Sequence, residues 1–148
     1  MTAVYSEALA GDELELVLPP EPESVVEARA AVADVARRLG AREEDVRLAV
    51  SEAVGNAVIH AFRDGGPGTI TVHARFDAGR LLVTVSDDGI GMTPNPDSPG
   101  LGFGIALIGK LADDVRFSSS GEGTVISMCF NAAALSPTAD AEEQGKEG

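Results

Sequence analysis

The stretch "DVRLAVSEAVGNAVIHAF", Asp45 to Phe62, decides how the rest of the chain is read. Its Val, Ala, Leu and Ile recur so densely that it predicts a helix buried on most sides. Yet within "SEAVGNAVIH", Ser51 to His60, a carboxylate, an amide and an imidazole return at every fourth position: Glu52, Asn56 and His60. Residues four apart are neighbours on one helical face, so the three form a polar row along an apolar cylinder. Burying them without partners would cost about 1–3 kcal/mol each, and more for an ionised carboxylate. An internal hydrogen-bond network or a polar ligand must meet them.

The chain around this helix has 148 residues, enough for one domain with a real core. Its 24 acidic residues against 11 basic ones give a net charge of -13, which repels nucleic-acid phosphates and anionic membranes. No direct nucleic-acid partner and no membrane partner are expected. The single cysteine, Cys129, excludes a disulfide framework and a thiolate metal cluster and fits a reducing cytoplasm. The start, "MTAVYSEALAGDELEL", has neither the basic head nor the apolar run of a signal peptide, and no later stretch holds 18 consecutive apolar residues. A cytoplasmic protein is expected.

Upstream of the helix, "ELELVL" alternates with Leu14, Leu16 and Leu18 on one face and stops at Pro19, Pro20 and Pro22. Val25 to Leu39 repeats at helical spacing and reaches Gly40, a natural C-terminal stop. Downstream, "RDGGPG" is a loop, and "TITVHARF" and "RLLVTVSD" are alternating strands joined by "DAG". "DGIGMTPNPDSPGLGFG" packs five glycines and three prolines into 17 residues and reads as a loop. A third helix, "GIALIGKLADD", precedes a hairpin of "VRFSSS" and "GTVISMCF" with "GEG" at its turn. The order β-α-α-β-β-loop-α-β-β is of α+β class: a two-layer α/β sandwich, its sheet mixed or antiparallel, with helices on one face. Residues 1–12 read as an N-terminal extension, 13–131 as the domain and 132–148 as a disordered acidic tail.

Two further features carry chemistry. Asp87 continues the alternation of Leu81, Val83 and Val85, so it should point to the covered face, where a carboxylate needs a donor. An adenine amino group is one such donor, and Gly89 and Gly91 would let the backbone approach a flat base. The plainer reading is an Asp-Gly turn. "GLGFG", Gly100 to Gly104, lies at the mouth of the third helix, where successive N–H groups and the helix dipole favour a phosphate; alone it is equally a flexible connection. "GIALIGK" has P-loop spacing, but Leu111 replaces the magnesium-binding hydroxyl and "IALI" is a helical run, so that reading is rejected. "GLGFGI" misses the dinucleotide spacing by one residue.

Taken together and in this order, Glu-x-x-x-Asn on a helix, Asp-x-Gly-x-Gly after a strand and a glycine loop opening a later helix resemble the Bergerat-fold ATP-binding superfamily. Gyrase, the heat-shock chaperone, histidine kinases and mismatch-repair ATPases share that fold. The resemblance spans roughly Glu13 to Phe130, and "LAVSEAVGNAVIHAF" is most similar to the anti-sigma-factor serine kinases of bacterial partner-switching systems. It implies a mixed-sheet histidine-kinase-like ATPase fold, ATP and Mg2+ as cofactors, and serine phosphorylation of a STAS-type anti-anti-sigma factor. It also implies sequestration of a sigma factor, and it leaves a homodimer open. Carried over, Glu52 would be the catalytic base and Asn56 the magnesium ligand. Asp87, with Thr124 nearby, would take the adenine amino group. Gly89, Gly91, Gly100, Gly102 and Gly104 would shape the base pocket and a lid. His60 receives no role beyond a structural hydrogen bond.

No Lys or Arg occurs between Arg80 and Lys110, although phosphoryl transfer usually draws on positive charge near the γ-phosphate beyond one magnesium ion. A nucleotide-binding partner-switch module without transfer is therefore the alternative. A histidine-kinase catalytic domain is a third reading; with only His60 and His73, the chain offers no hairpin to present a phosphoacceptor.

Overall fold

A computed structural model describes residues 5–9, 13–61, 68–89, 101–120 and 123–132, with backbone alone for 5–9, 60–61 and 101–104. Six strands form one sheet in the order β1-β2-β3-β4-β6-β5: β1 (Tyr5–Leu9), β2 (Glu13–Leu18), β3 (Ile70–Asp77), β4 (Arg80–Asp87), β5 (Asp114–Ser120) and β6 (Gly123–Asn131). Among the described residues three helices accompany it, α1 (Pro22–Leu39), α2 (Glu43–Asn56) and α3 (Leu101–Leu111), and a π-helical segment, Ala57–Ala61, continues α2.

The alternation read from the sequence holds in every strand that builds the core. Leu16, Val72, Val85 and Ile126 form one transverse row of buried side chains, and Leu14, Ala74, Val83 and Met128 the next. α1, α2 and α3 cover that face with Val32, Val35, Ala36, Leu39, Val46, Val50, Val54 and Ile108. Burying each large aliphatic side chain contributes about 1.5–3 kcal/mol, so this one apolar face holds the two layers together.

Every pairing is antiparallel, which corrects the mixed sheet implied by the resemblance. The reason lies in the connections. The chain leaves β2 at Leu18 and re-enters β3 at Ile70, its direct partner, so α1 and α2 run out and back and β3 returns antiparallel. After β4, the chain must cross the sheet's length to reach Asp114, and the β5–β6 hairpin then inserts β6, not β5, beside β4. The hairpin at Asp77–Arg80 turns through Ala78 and Gly79, at φ 51° and 80°, the pair of positive values that matches strand twist.

Four boundaries differ from the sequence reading. Residues 5–9, assigned to an extension, form β1 on the free edge of β2; Glu7 and Ala8 give that run little strand character, and the open ladder supplies what propensity does not. α1 begins at Pro22 rather than Val25, because proline suits the first helical turn. The second helix is α-helical only to Asn56. α3 begins at Leu101 rather than Gly104, since Leu101, Ile105 and Ile108 extend the apolar spacing backward. The loop "RDGGPG" falls mostly, and the tail from 133 wholly, outside the described residues.

Candidate functional site

Connectivity brings the singled-out residues to one end of the molecule. Leu18, Ile70, Asp87, Thr124 and Ser119 form the last transverse row of the covered face, so an apolar row becomes polar as it crosses from β3 to β4. α2 delivers Asn56 to this end, because the π segment leads on toward Ile70. α3 starts here as well. Its far terminus is fixed by Arg42, which donates to the Leu111 carbonyl at 2.8 Å and to Asp113 at 3.4 Å, so α3 runs antiparallel to α2 with its first turn at the polar end. Gly102 and Gly104 lie in that first turn, where backbone N–H groups have no intrahelical acceptor and the dipole favours an anion.

Among the described residues three polar side chains are buried: Ser24, Thr124 and Asn56. Ser24 donates to the Pro19 carbonyl at 2.6 Å, and the Thr124 hydroxyl meets that of Ser119 at 3.2 Å. Asn56, 6% exposed, leaves its Nδ2 buried with no partner among the described residues. An amide end orphaned in this way costs about 1–3 kcal/mol, a cost that a bound polar group would remove. Glu52, one turn earlier on α2, is half-buried and retains access to solvent. The helix changes to π geometry directly after Asn56, a distortion that recurs at functional sites. The side chain of His60, in that segment, is outside the described residues.

Asp87 is half-buried, as its place in the alternation requires. Desolvation pushes its carboxyl above the ordinary value of 3.8, and the negative charge of Asp88 adds to the rise, while the backbone N–H groups of Gly89 and Thr124 oppose it. The Gly89 N–H donates at 2.9 Å. A carboxylate offers about four lone-pair sites, so acceptor capacity is left for a ligand amino group. Asp88 points the other way: it is exposed and takes the Thr69 N–H at 2.8 Å, tying the start of β3 to the end of β4.

Two residues were not singled out from the sequence. Gly123 opens β6 at φ 138°, and a Cβ there would stand 2.0 Å from the Asp87 carbonyl oxygen, so only glycine permits this approach of β6 to β4. Ser119 supports the Thr124 hydroxyl; its signal was available, since Val115, Phe117 and Ser119 alternate onto the covered face. Gly91 and Gly100 are outside the described residues, and Gly89 closes the Asp87 turn. Lys110 is exposed in the last turn of α3, at the end opposite the polar row. No cluster of three or more His, Cys, Asp or Glu able to hold a metal occurs among the described residues; magnesium needs only one or two protein oxygens beside phosphates.

Chemically, this end of the molecule offers a half-buried carboxylate at Asp87, a buried amide at Asn56 and the N-terminus of α3. Residues 18–130 match the family model described as a histidine kinase-like ATPase domain. The anti-sigma F factor of Clostridium acetobutylicum is 35% identical over 131 residues, covering 78% of this chain and 90% of that protein. The serine-protein kinase RsbW of Bacillus velezensis is 34% identical over 132 residues, covering 77% and 82%. A solved structure of the RsbU and RsbW domains of a Mycobacterium tuberculosis protein superposes with TM-score 0.65 at 22% identity, covering 84% of this chain and 33% of that one, a likeness of fold.

Proposed function

The chain belongs to the histidine kinase-like ATPase domain family, and from that premise we propose that it is an ATP-dependent serine-protein kinase and anti-sigma factor. In this reading it phosphorylates a serine of a STAS-type anti-anti-sigma factor and, when that antagonist is absent, sequesters a sigma factor. The observation that carries it is the buried Asn56 side chain, its Nδ2 without a partner among the described residues, one helical turn from Glu52.

Asp87 accepts from the adenine amino group, and Thr124 contacts the neighbouring ring edge. Gly89, Gly91 and Gly100 keep side chains away from the base and the lid, and the first-turn N–H groups of α3 at Gly102 and Gly104 receive phosphate oxygens. Asn56 would hold Mg2+ through its carbonyl oxygen, leaving its Nδ2 to donate to a phosphate. Magnesium, when bound, neutralises phosphate charge. Glu52, open to solvent on one side, receives the proton of the attacking serine hydroxyl, as a positioned general base does. The cytoplasm would be the compartment of this activity. No described helix is long and apolar enough to cross a membrane.

A second reading has its own observation. With no Lys or Arg from 81 to 109 and Lys110 at the far end of α3, that segment brings no positive charge to the phosphates, which favours a module that holds nucleotide to set the shape of a partner surface. Incubation with γ-labelled ATP and a purified anti-anti-sigma factor separates the two: label on the partner's serine supports the kinase, and stable complexes without label support the module.

A further inference from the structure

We propose that the outward face of α2, from Glu44 through Leu48, Glu52 and Gly55 to Ile59, is the docking strip for the serine-bearing protein partner. The partner segment laid along it carries aliphatic side chains on both sides of the serine and a cation toward the Glu44 end. This deepens the kinase reading and rests on it for the role of Glu52.

The five positions follow one another at intervals of four, four, three and four, the spacing of a single helical face. The opposite face, Val46, Val50, Ala53, Val54 and Ala57, is sealed in the core. Leu48 is 44% exposed and Ile59, two residues into the π segment, is 62% exposed; they are two of the four exposed large hydrophobics among the described residues. Glu52 lies between them, half-buried and in no hydrogen bond or ion pair with another described residue. From Leu48 to Ile59 the strip runs about 16 Å along the axis, the reach of one short extended segment.

Gly55 is the second observation. Glycine is among the poorest residues in a helix interior, and it is kept where a Cβ would collide or where φ is positive. Neither holds here, since a Cβ at Gly55 would meet no atom within 4 Å. The fold itself does not require it. A backbone arriving from outside, close to the helix and level with Glu52, does require it. Gly109 of α3 is equally open, but none of the exposed large hydrophobics is on that helix.

Charge selects the occupant. Arg47, the one cation of α2, is turned to Glu43, which Arg37 of α1 also approaches, so the strip is left acidic at Glu44 and Glu52. A second copy of this chain would set acid against acid. A partner with a Lys or Arg near its serine complements the strip, and its aliphatic neighbours cover Leu48 and Ile59. Binding there places the serine at the Glu52 carboxylate, one turn from Asn56.

The test uses the full chain, γ-labelled ATP and a purified anti-anti-sigma factor at varied concentration. Leu48→Ser and Ile59→Ser should each raise the KM for the protein partner about tenfold, with kcat and ATP affinity within about twofold of wild type. Glu44→Lys should raise that KM about threefold at low salt. Gly55→Ala should melt about 3 °C higher, from improved helix propensity, and still raise KM severalfold. A structural role would not make a more stable variant dock worse. A wild-type KM in folded Leu48→Ser and Ile59→Ser, or in Gly55→Ala, overturns the inference. So does an unmoved KM beside weakened sigma-factor binding or altered sedimentation of the free chain, which gives the strip to another occupant. If wild type binds the partner without transferring label, the kinase reading falls. The same variants are then scored by partner affinity in ADP, where a tenfold loss supports the strip and no loss overturns it. Wild type that does not bind the partner at all overturns both.

Discussion

Thr124 stands opposite Asp87 across β4 and β6, and its backbone N–H supports the Asp87 carboxylate while its hydroxyl turns to Ser119. The same ladder position therefore fixes the acceptor and its neighbour. Asp87→Asn keeps the shape but replaces one acceptor oxygen with a donor, set against the adenine amino group. ADP and ATP should bind wild type in the micromolar range, roughly -8 kcal/mol, and the variant about 10–100-fold more weakly, the loss of a hydrogen bond to a charged group. Calorimetry measures the loss, and an unaltered circular dichroism spectrum shows that the fold survives.

The raised pKa of Asp87 makes a second expectation, with its sign fixed by linkage. Between the ordinary 3.8 and the higher folded value, the native state holds a proton that the unfolded chain has released. Stability from this group is thus complete below the unfolded pKa and lost as pH rises through the folded one. Melting wild type and Asp87→Asn side by side, without nucleotide, should show wild type losing ground to the variant from about pH 4 upward. ADP affinity of wild type should rise across the same window, because only the ionised carboxylate is a pure acceptor.

Gly123→Ala should be among the most damaging single-methyl changes in the chain. The added Cβ meets the Asp87 carbonyl oxygen at 2.0 Å, a backbone atom that cannot rotate away, and φ 138° is strained for any residue with a side chain. A loss of about 2–4 kcal/mol is expected. Chemical denaturation measures it; a loss under about 0.5 kcal/mol would be that of an ordinary surface substitution.

Arg42 offers a contrasting case, because it acts at the end of the molecule opposite the polar row. Its guanidinium joins Asp45, Asp113 and the Leu111 carbonyl, linking the start of α2 to the end of α3, and the bond to Asp45 is the main cause of its raised pKa. The group is well exposed, so solvent screening reduces what these contacts contribute to about 1 kcal/mol, or roughly 4 °C in Tm. Arg42→Lys cannot reproduce three divergent bonds and should recover little of it. ADP affinity should stay within about twofold of wild type, since no nucleotide-facing group is touched.

Much of this was legible in the sequence because burial writes a period into it. Leu14 to Leu18, Ile70 to Ala74, Leu81 to Val85 and Thr124 to Phe130 each announced their covered face, and Asp87 was placed by the same alternation. β1 was not legible, since Tyr5–Leu9 pairs along the backbone of β2 with no apolar face of its own to display. The antiparallel order of β4, β6 and β5 depends on which strand of a hairpin inserts, which no local pattern encodes. Gly123 looked like one more turn glycine, because its constraint comes from Asp87, thirty-six residues away in the chain. Ser119 could be placed on the covered face by alternation with Val115 and Phe117, but its contact with Thr124 shows only once β5 and β6 are paired.

In the proposed reading α2 (Glu43–Asn56) carries two different functions one turn apart, magnesium at Asn56 and the base at Glu52. The most direct measurement is single-turnover transfer of γ-labelled phosphate from ATP to a purified anti-anti-sigma factor by wild type and Glu52→Gln, with Mg-ATP affinity measured in parallel and Asn56→Ala as the reference. Glu52→Gln should bind Mg-ATP like wild type and transfer about 10²–10⁴-fold more slowly, whereas Asn56→Ala should lose magnesium-dependent binding itself. Transfer by Glu52→Gln at the wild-type rate, or no transfer by wild type that binds Mg-ATP and its partner, would contradict the account.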